Sequence, residues 1–280
     1  MRVAIVGLGL IGGSLALALR ERRAGWERIG HEVDPAVLKR AVDQGIVAAG
    51  DPHDADLVVL ATPIPALPDL FAAYAGHRGV VTDVASTKET VLSWAHDAGL
   101  DLVGGHPMTG REQSGLAAAD AGLFCGAPWA LTRDDPLVLE MALAVGARPV
   151  VLDAARHDQL VAGVSHAAFA VSAAYVLALA GDDAWPEMAA LAGPGYRDLS
   201  RLAGGDVELH AAIAATNRPA LLRRLREVEA SLARLHAHLE AGGDGMTRLL
   251  AEAKRVRDAW ARDAARGSSP SWPRSGGAGG

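Results

Sequence analysis

Val3-Ala4-Ile5-Val6 is followed by Gly7-Leu8-Gly9-Leu10-Ile11-Gly12-Gly13-Ser14, and then by Leu15-Ala16-Leu17-Ala18-Leu19-Arg20. A short β-branched apolar run, a glycine-rich turn and an apolar run of helix formers read as strand, turn and helix. In that setting each glycine has a separate task. Gly7 permits the tight turn out of the strand. Gly9 has no Cβ, so the backbone can approach a phosphate, and Gly12 lets the helix pack on the strand. The helix N-terminus at Leu10 and Ile11 presents free N–H groups and the positive end of the helix dipole to an anion. The pattern predicts a cradle for the pyrophosphate of a dinucleotide.

A second apolar run around Ile29 ends at Gly30-His31-Glu32-Val33-Asp34-Pro35. Glu32 lies twenty positions after Gly12, where an acidic residue meets the adenosine ribose hydroxyls in such folds. A carboxylate there accepts from both hydroxyls and repels a 2′-phosphate, so the expected cofactor is NAD, with NADP disfavoured. A merely solvated loop carboxylate is the alternative, and it leaves the spacing unexplained.

From 1 to about 153, short apolar runs alternate with helical patterns. Strands are expected at 2–7, 28–33, 57–61, 79–84, 101–104, 128–132 and 148–152, and helices near 12–23, 35–43, 64–75, 87–98 and 136–145. Alternation with short connections implies βαβ units and an α/β fold, a doubly wound, mostly parallel Rossmann sheet. After 153 the strand signals stop. Helical patterns occupy 156–180, 184–192, 206–215, 217–241 and 244–262, with Asn217 ahead of Pro219 as a helix-start signal and Asn217 or a neighbour as cap. The expected organisation is a dinucleotide-binding domain over 1–153, an all-helical substrate and dimerisation domain over 154–262, and a Gly/Ser/Pro-rich disordered tail over 263–280. The stretch 159–180 is apolar nearly all round and must be buried on every side. A small helical domain hides such a helix with difficulty, which points to a second subunit.

Half of the 280 residues are hydrophobic, enough for one large core or two smaller ones. Acidic and basic residues are interspersed at a net charge of −6. No basic patch suggests nucleic acid, and no polybasic run suggests a membrane surface. Cys125 is the single cysteine, which excludes an intrachain disulfide and fits a reducing, cytoplasmic setting. No Cys/His cluster has metal-ligand spacing, so no metal is expected. Residues 1–20 loosely resemble a signal peptide, and 159–181 could span a bilayer by length. The ordered glycines with Glu32 outweigh the first reading. Ser165, His166 and Ser172, with no basic flank, outweigh the second.

In doubly wound sheets ligands sit beyond the carboxyl ends of the strands, and the strand ends here carry informative residues. Leu57-Val58-Val59-Leu60-Ala61 ends at Thr62-Pro63, and Val80-Val81-Thr82 ends at Asp83-Val84-Ala85-Ser86-Thr87-Lys88. Leu102-Val103 runs into Gly104-Gly105-His106-Pro107. A histidine on a glycine-flanked turn at a strand end is placed either for proton chemistry near neutral pH or for a simple bond to nearby backbone.

Taken in order, GLGLIGGS at 7–14, TDVASTK at 82–88, GGHPMTG at 104–110, HDQ at 157–159, VSH at 164–166 and YRDLSR at 196–201 resemble the prephenate and arogenate dehydrogenases of tyrosine biosynthesis. The resemblance covers about 1–260, and the second half looks closest to the cyanobacterial arogenate dehydrogenases. It implies a Rossmann domain followed by a helical domain that forms a homodimer. The implied substrate is a cyclohexadiene with a ring hydroxyl, a ring carboxylate and a side-chain carboxylate. Hydride leaves the hydroxyl-bearing carbon for the nicotinamide, carbon dioxide leaves the opposite carbon, and the ring becomes aromatic.

The resemblance further implies His106 as the base for the ring hydroxyl, with Ser86 as its second contact; Ser86 or Thr87 also looks like a helix N-cap. It implies Thr62 and Pro63 on the nicotinamide side and Lys88 as a loop support. Arg201 and Arg197 are the implied cations for the carboxylates, and their spacing puts them on one face if 197–201 is helical. His166 matches the first histidine of the family's histidine-rich helix motif. Many prephenate-type relatives carry a second histidine three positions on, where this chain has Phe169, a departure that leans toward arogenate. His157-Asp158 is expected to cap the long helix.

The leading expectation is therefore NAD-dependent oxidative decarboxylation of prephenate to 4-hydroxyphenylpyruvate. The alternative is conversion of arogenate to tyrosine with NAD or NADP; the cyanobacterial branch often uses NADP, whereas Glu32 favours NAD. A β-hydroxyacid-type dehydrogenase would place a catalytic lysine on 156–181, which holds none. A non-enzymatic NAD sensor would have no need of His106, Ser86 and Arg201 together. The length leaves no room for a fused chorismate mutase or a typical regulatory domain, so feedback by tyrosine is expected to act at the active site.

Overall fold

The computed structural model describes residues 1–111 and 113–265. Contacts divide the chain into two compact units, Met1–Arg224 and Leu225 onward.

The first unit opens with β1 (Arg2–Val6), α1 (Leu10–Arg22), β2 (Glu27–His31), α2 (Pro35–Asp43), β3 (Leu57–Leu60), α3 (Leu67–Ala73), β4 (Val80–Asp83), α4 (Glu89–Asp97) and β5 (Leu102–Val103). The five strands form one parallel sheet in the order β2-β1-β3-β4-β5. Alternate residues feed opposite faces: Val3, Ile5, Leu57 and Val59 join one core, and Ala4, Val6, Val58 and Leu60 join the other. All are buried because helices cover both faces of a parallel sheet. β2 and β3 lie on either side of β1. The strand order therefore reverses at β1, and the crevice beyond the ends of β1 and β3 is the switch point where such sheets take ligands.

The expected single sheet is in fact two. Gly105–Pro107 forms β6, antiparallel to β7 (Pro128–Leu131); after α5 (Pro136–Ala144), β8 (Arg148–Val151) pairs parallel with β7. His106 is thus a strand residue paired with Ala130, not a turn residue. The apolar runs at 128–132 and 148–152 announce strands correctly, but periodicity carries no information about which sheet a strand joins.

The helical part begins at α6 (Ala154–Val161), capped by Asp153, which accepts from Arg156 N at 2.8 Å. A wide π-type turn at Ala162–His166 leads into α7 (Ala167–Ala180). Then follow α8 (Trp185–Ala190), α9 (Pro194–Ser200), a 3₁₀ turn at Arg201–Gly204, α10 (Val207–Thr216) and α11 (Arg218–Ala241). The expectation that the long apolar helix is buried all round does not hold in the single chain. In α7 only Ala167 and Ser172 are buried, and Leu177 is 71% exposed. Ala154–Ala180 is long and apolar enough to cross a membrane, yet buried polar side chains from its first half bond to the loops of the sheet part.

In the second unit, the remainder of α11 and α12 (Gly245–Ala265) are joined through Gly242 and Gly243, both at positive φ, which glycine adopts without a Cβ penalty. Of the expected tail, residues 263–265 end α12; 266–280 lie outside the described residues.

Candidate active site

The cofactor end is built by the glycines. Gly7 has a φ of +94°, and a Cβ there would collide with Ala61 O. A Cβ on Gly12 would collide with Gly7 O, whereas one on Gly9 would meet nothing within 4 Å. Two glycines thus close the turn onto β1 and β3, and the third leaves the backbone open to a phosphate. Leu10 and Ile11 open α1 behind them. Glu32 follows β2 and turns back on the loop: Leu8 N donates to its Oε2 at 2.7 Å and Val33 N to its Oε1 at 2.8 Å. The acid is thereby fixed beside the phosphate loop. At the end of β3, Thr62 Oγ1 is buried without a partner, and Pro63 is exposed beside it. An orphaned hydroxyl there, an open Gly9 and an anchored acid fit a dinucleotide.

A buried polar cluster is built on Asp83, the last residue of β4. Its Oδ1 accepts from Gly105 N at 2.9 Å, and its Oδ2 accepts from Ala85 N at 3.0 Å and from Lys88 Nζ. Both members of the Asp83–Lys88 pair are buried. Burial lowers the Lys88 pKa, and Asp83 opposes that shift. One carboxylate therefore ties β6 and the 84–88 loop to the end of the sheet, which places His106 and Ser86.

His106 Nδ1 lies 2.9 Å from His157 Nε2, and His157 Nδ1 lies 2.7 Å from Asp158 Oδ1. A carboxylate only accepts, so in the uncharged pair His157 Nδ1 carries its proton, His157 Nε2 accepts, and His106 Nδ1 donates. His106 Nε2 is left with its lone pair, the form a general base needs. The pKa of His106 lies well below the ordinary imidazole value, first through burial and then through His157, Lys88 and His166.

Asp158 has a second task. Its carboxylate accepts from Lys88 N at 2.8 Å and Glu89 N at 2.9 Å, so α6 caps α4 from outside. Two expectations are corrected here. Neither Ser86 nor Thr87 is the cap, since Thr87 Oγ1 pairs with Thr216 Oγ1 at 2.9 Å. Nor do His157 and Asp158 cap the long helix, a role that falls to Asp153. Ser86 is half-buried and makes no hydrogen bond with the described residues, which leaves its hydroxyl for a ligand.

Asn217 precedes α11 as expected, but its side chain does not cap that helix and points inward. Its Nδ2 donates to Asp158 O at 2.8 Å and sits 3.2 Å from His166 Nδ1. The carbonyl can only accept, so the amide is oriented with its NH₂ inward, and His166 Nδ1 must accept the second hydrogen. The proton of His166 is then on Nε2, which is buried without a partner. Burial pushes the His166 pKa down to about 4, against the pull of Asp158, so the ring is an uncharged donor near neutral pH. Arg197 lies in α9 and Arg201 begins the 3₁₀ turn after it, and both are exposed on the single chain. The structure thus gathers His106, His157 and His166 in the interior but leaves the two arginines on the surface.

Comparison with known proteins matches this architecture. Residues 15–146 fit the profile described as prephenate dehydrogenase, nucleotide-binding domain, and 153–252 that described as prephenate dehydrogenase, dimerization domain. The prephenate dehydrogenase of Lactococcus lactis subsp. cremoris is 30% identical over 92% of this chain and 77% of its own. The chain belongs to the prephenate dehydrogenase family. Among solved family structures, Synechocystis arogenate dehydrogenase is 33% identical, covers 93% of this chain and all of its own, and has a TM-score of 0.80. Prephenate dehydrogenase from A. aeolicus, solved with hydroxyphenyl propionate and NAD⁺, is 27% identical over 92% of this chain and 97% of its own, with a TM-score of 0.85. Membership sets aside the β-hydroxyacid-type and sensor readings.

Proposed function

We propose that this protein is an NAD-dependent prephenate dehydrogenase, converting prephenate to 4-hydroxyphenylpyruvate and carbon dioxide. The observation that carries the reading is the Asp158–His157–His106 chain, which leaves a buried, uncharged nitrogen lone pair at the end of a dinucleotide-binding sheet. Gly7, Gly9, Leu10, Ile11 and Gly12 hold the pyrophosphate, Glu32 the ribose hydroxyls, and Thr62 and Pro63 the nicotinamide side. Bound NAD⁺ supplies the hydride acceptor.

His106 Nε2 takes the ring hydroxyl proton as the carbon–hydrogen bond at that carbon breaks. It returns the proton to the phenol oxygen once the ring carboxylate departs as carbon dioxide. The Ser86 hydroxyl holds the same oxygen. His166 Nε2–H donates to a substrate oxygen, and Arg197 and Arg201 pair with the carboxylates. Aromatisation drives the reaction, so orientation and one proton relay are what these residues must provide.

We place the functional division at Asp153, where α6 begins. A homodimer through the helical part is supported by the dimerization-domain match and by the apolar side chains α7 leaves exposed. The single cysteine fits a cytoplasmic setting. Arogenate is the second reading, supported by Phe169 and by the Synechocystis relative.

The test is reduced-nicotinamide formation with prephenate or arogenate crossed against NAD or NADP. Turnover of prephenate with NAD is expected. A preference for NADP would remove the role given to Glu32, and no turnover in any pair while NAD still binds would overturn the proposal.

A further inference from the structure

Ser86 makes no hydrogen bond with the described residues, so its place is set by its neighbours in the 84–88 loop. On one side, Ala85 N donates to Asp83 Oδ2 at 3.0 Å. On the other, Lys88 N donates to Asp158 Oδ1 at 2.8 Å. Thr87, directly after Ser86, is fully buried. Its hydroxyl reaches across to the helical part, where Thr87 Oγ1 lies 2.9 Å from Thr216 Oγ1 at the end of α10.

The direction of that bond follows from α10 itself. Thr216 Oγ1 also lies 2.7 Å from Ala212 O, one turn back on the helix. A carbonyl only accepts, so the Thr216 hydroxyl gives its proton to Ala212 O. Towards Thr87 it is therefore an acceptor, and Thr87 donates. Thr90, in the first turn of α4, donates its own hydroxyl to Thr216 O at 2.8 Å. One residue of α10 thus receives hydroxyls from both sides of the junction between the loop and α4.

This acceptor is held still against the sheet part. Ile213, one turn before Thr216, is buried in one cluster with Ile64, Leu67, Val91 and Ala95. The next residue, Asn217, donates to Asp158 O and meets His166. Two consecutive residues at the end of α10 therefore serve two sides of the site, Thr216 the loop that carries Ser86 and Asn217 the helix that carries His166.

We propose that Thr216 is a positioning residue for Ser86: its hydroxyl, oriented by Ala212 O, fixes Thr87 and through it the Ser86 hydroxyl against the substrate's ring oxygen. The inference rests on the dehydrogenase reading above. Without the Thr216 oxygen, the Thr87 hydroxyl becomes a buried donor without an acceptor, and it must turn to find another. The shift falls on the adjoining residue, Ser86. A small misplacement of a group that holds the reacting oxygen lowers the rate of the chemical step.

The test measures kcat and KM for prephenate, with saturating NAD, in wild type, Thr216→Val and Thr216→Ser, and repeats Thr216→Val in a Ser86→Ala background. Valine keeps the branched shape and loses the acceptor, whereas serine keeps the acceptor. Thr216→Val lowers kcat about tenfold, with KM within about threefold of wild type. Thr216→Ser stays within about threefold of wild type in both constants. In the Ser86→Ala background, Thr216→Val changes kcat by less than about twofold, because the group through which it acts is gone. A general packing role for Thr216 gives the same fold-loss in both backgrounds, and that result would overturn the proposal. So would wild-type kcat in Thr216→Val. If Thr216→Val does not fold, Thr87→Val removes the same bond from the donor side and is read in the same way. Wild-type kcat in Ser86→Ala removes the role of Ser86 and this proposal with it, while the dehydrogenase reading stands. Wild-type protein that binds NAD and turns over neither prephenate nor arogenate defeats the dehydrogenase reading itself.

Discussion

The sheet part and the long helix are equally apolar in sequence and opposite in burial. Leu57, Val58, Val59 and Leu60 of β3 are all fully buried, enclosed by the sheet's flanking helices with Ile213 of α10. In the segment 162–180, Val164 is 76% and Leu177 71% exposed. Yet the same segment and its neighbours bury His157, Asp158, His166 and Asn217. Hydrophobicity alone therefore says little about what a segment packs against. The sheet part fills most of its own core, to which α10 adds Ile213, whereas the helical part spends its buried polar groups on the sheet's loops and leaves apolar surface exposed. The proposed substrate site lies where those polar groups meet the strand ends.

The largest expected effect tests that division of labour. His106 stands on β6, but its proton is positioned by α6, so His106→Asn should remove proton transfer without touching the nucleotide loop. We expect kcat to fall by about 10³-fold, with the NAD dissociation constant, measured by fluorescence titration, within about threefold of wild type. A comparable loss of NAD affinity would mean that the two ends of the site are not separable.

How much of this was legible in the sequence follows the same division. The parallel sheet, the glycine turn and Glu32 could be read because their signals are local: a period, a spacing, a φ only glycine adopts. His106 was legible as a candidate, but its partner was not. His157 is fifty-one residues away, and the HD pair looks like an ordinary cap on a helix that Asp153 in fact caps. Asn217 does mark a helix start, with α11 beginning at Arg218, but that signal does not say that the amide will turn inward to a histidine. Arg197 and Arg201 were placed by resemblance, and the single chain leaves them on its surface.

A pair of substitutions sharpens the contrast in burial. Leu60→Ala empties a fully buried position and should cost about 3 kcal/mol in urea unfolding at any protein concentration. Leu177→Asp should cost less than about 0.5 kcal/mol in dilute protein, because the side chain is already in water there. If a second copy covers this face, the same substitution shifts sedimentation from dimer to monomer at concentrations where wild type is dimeric. Dimeric Leu177→Asp protein would mean that the dimer face lies elsewhere.

The smallest expected effect concerns the buried donor that links the two parts. The pKa of His166 falls to about 4 in the folded protein from about 6.5 in an unfolded chain. Between those values the unfolded chain holds a proton that the folded one refuses, so folding stability declines as pH falls from about 6.5 toward 4 and is unaffected above. At about pH 5 the loss amounts to roughly 2 kcal/mol. His106, depressed in the same direction, adds a decline of its own. His166→Gln keeps an oxygen to accept from Asn217 and removes the titration. Its unfolding free energy, compared at about pH 7.5 and pH 5, should therefore drop by roughly 2 kcal/mol less than that of wild type, the residual slope belonging to His106 and other groups. Identical slopes would place His166 in water, and the unpaired Nε2–H assigned to the substrate would lose its basis.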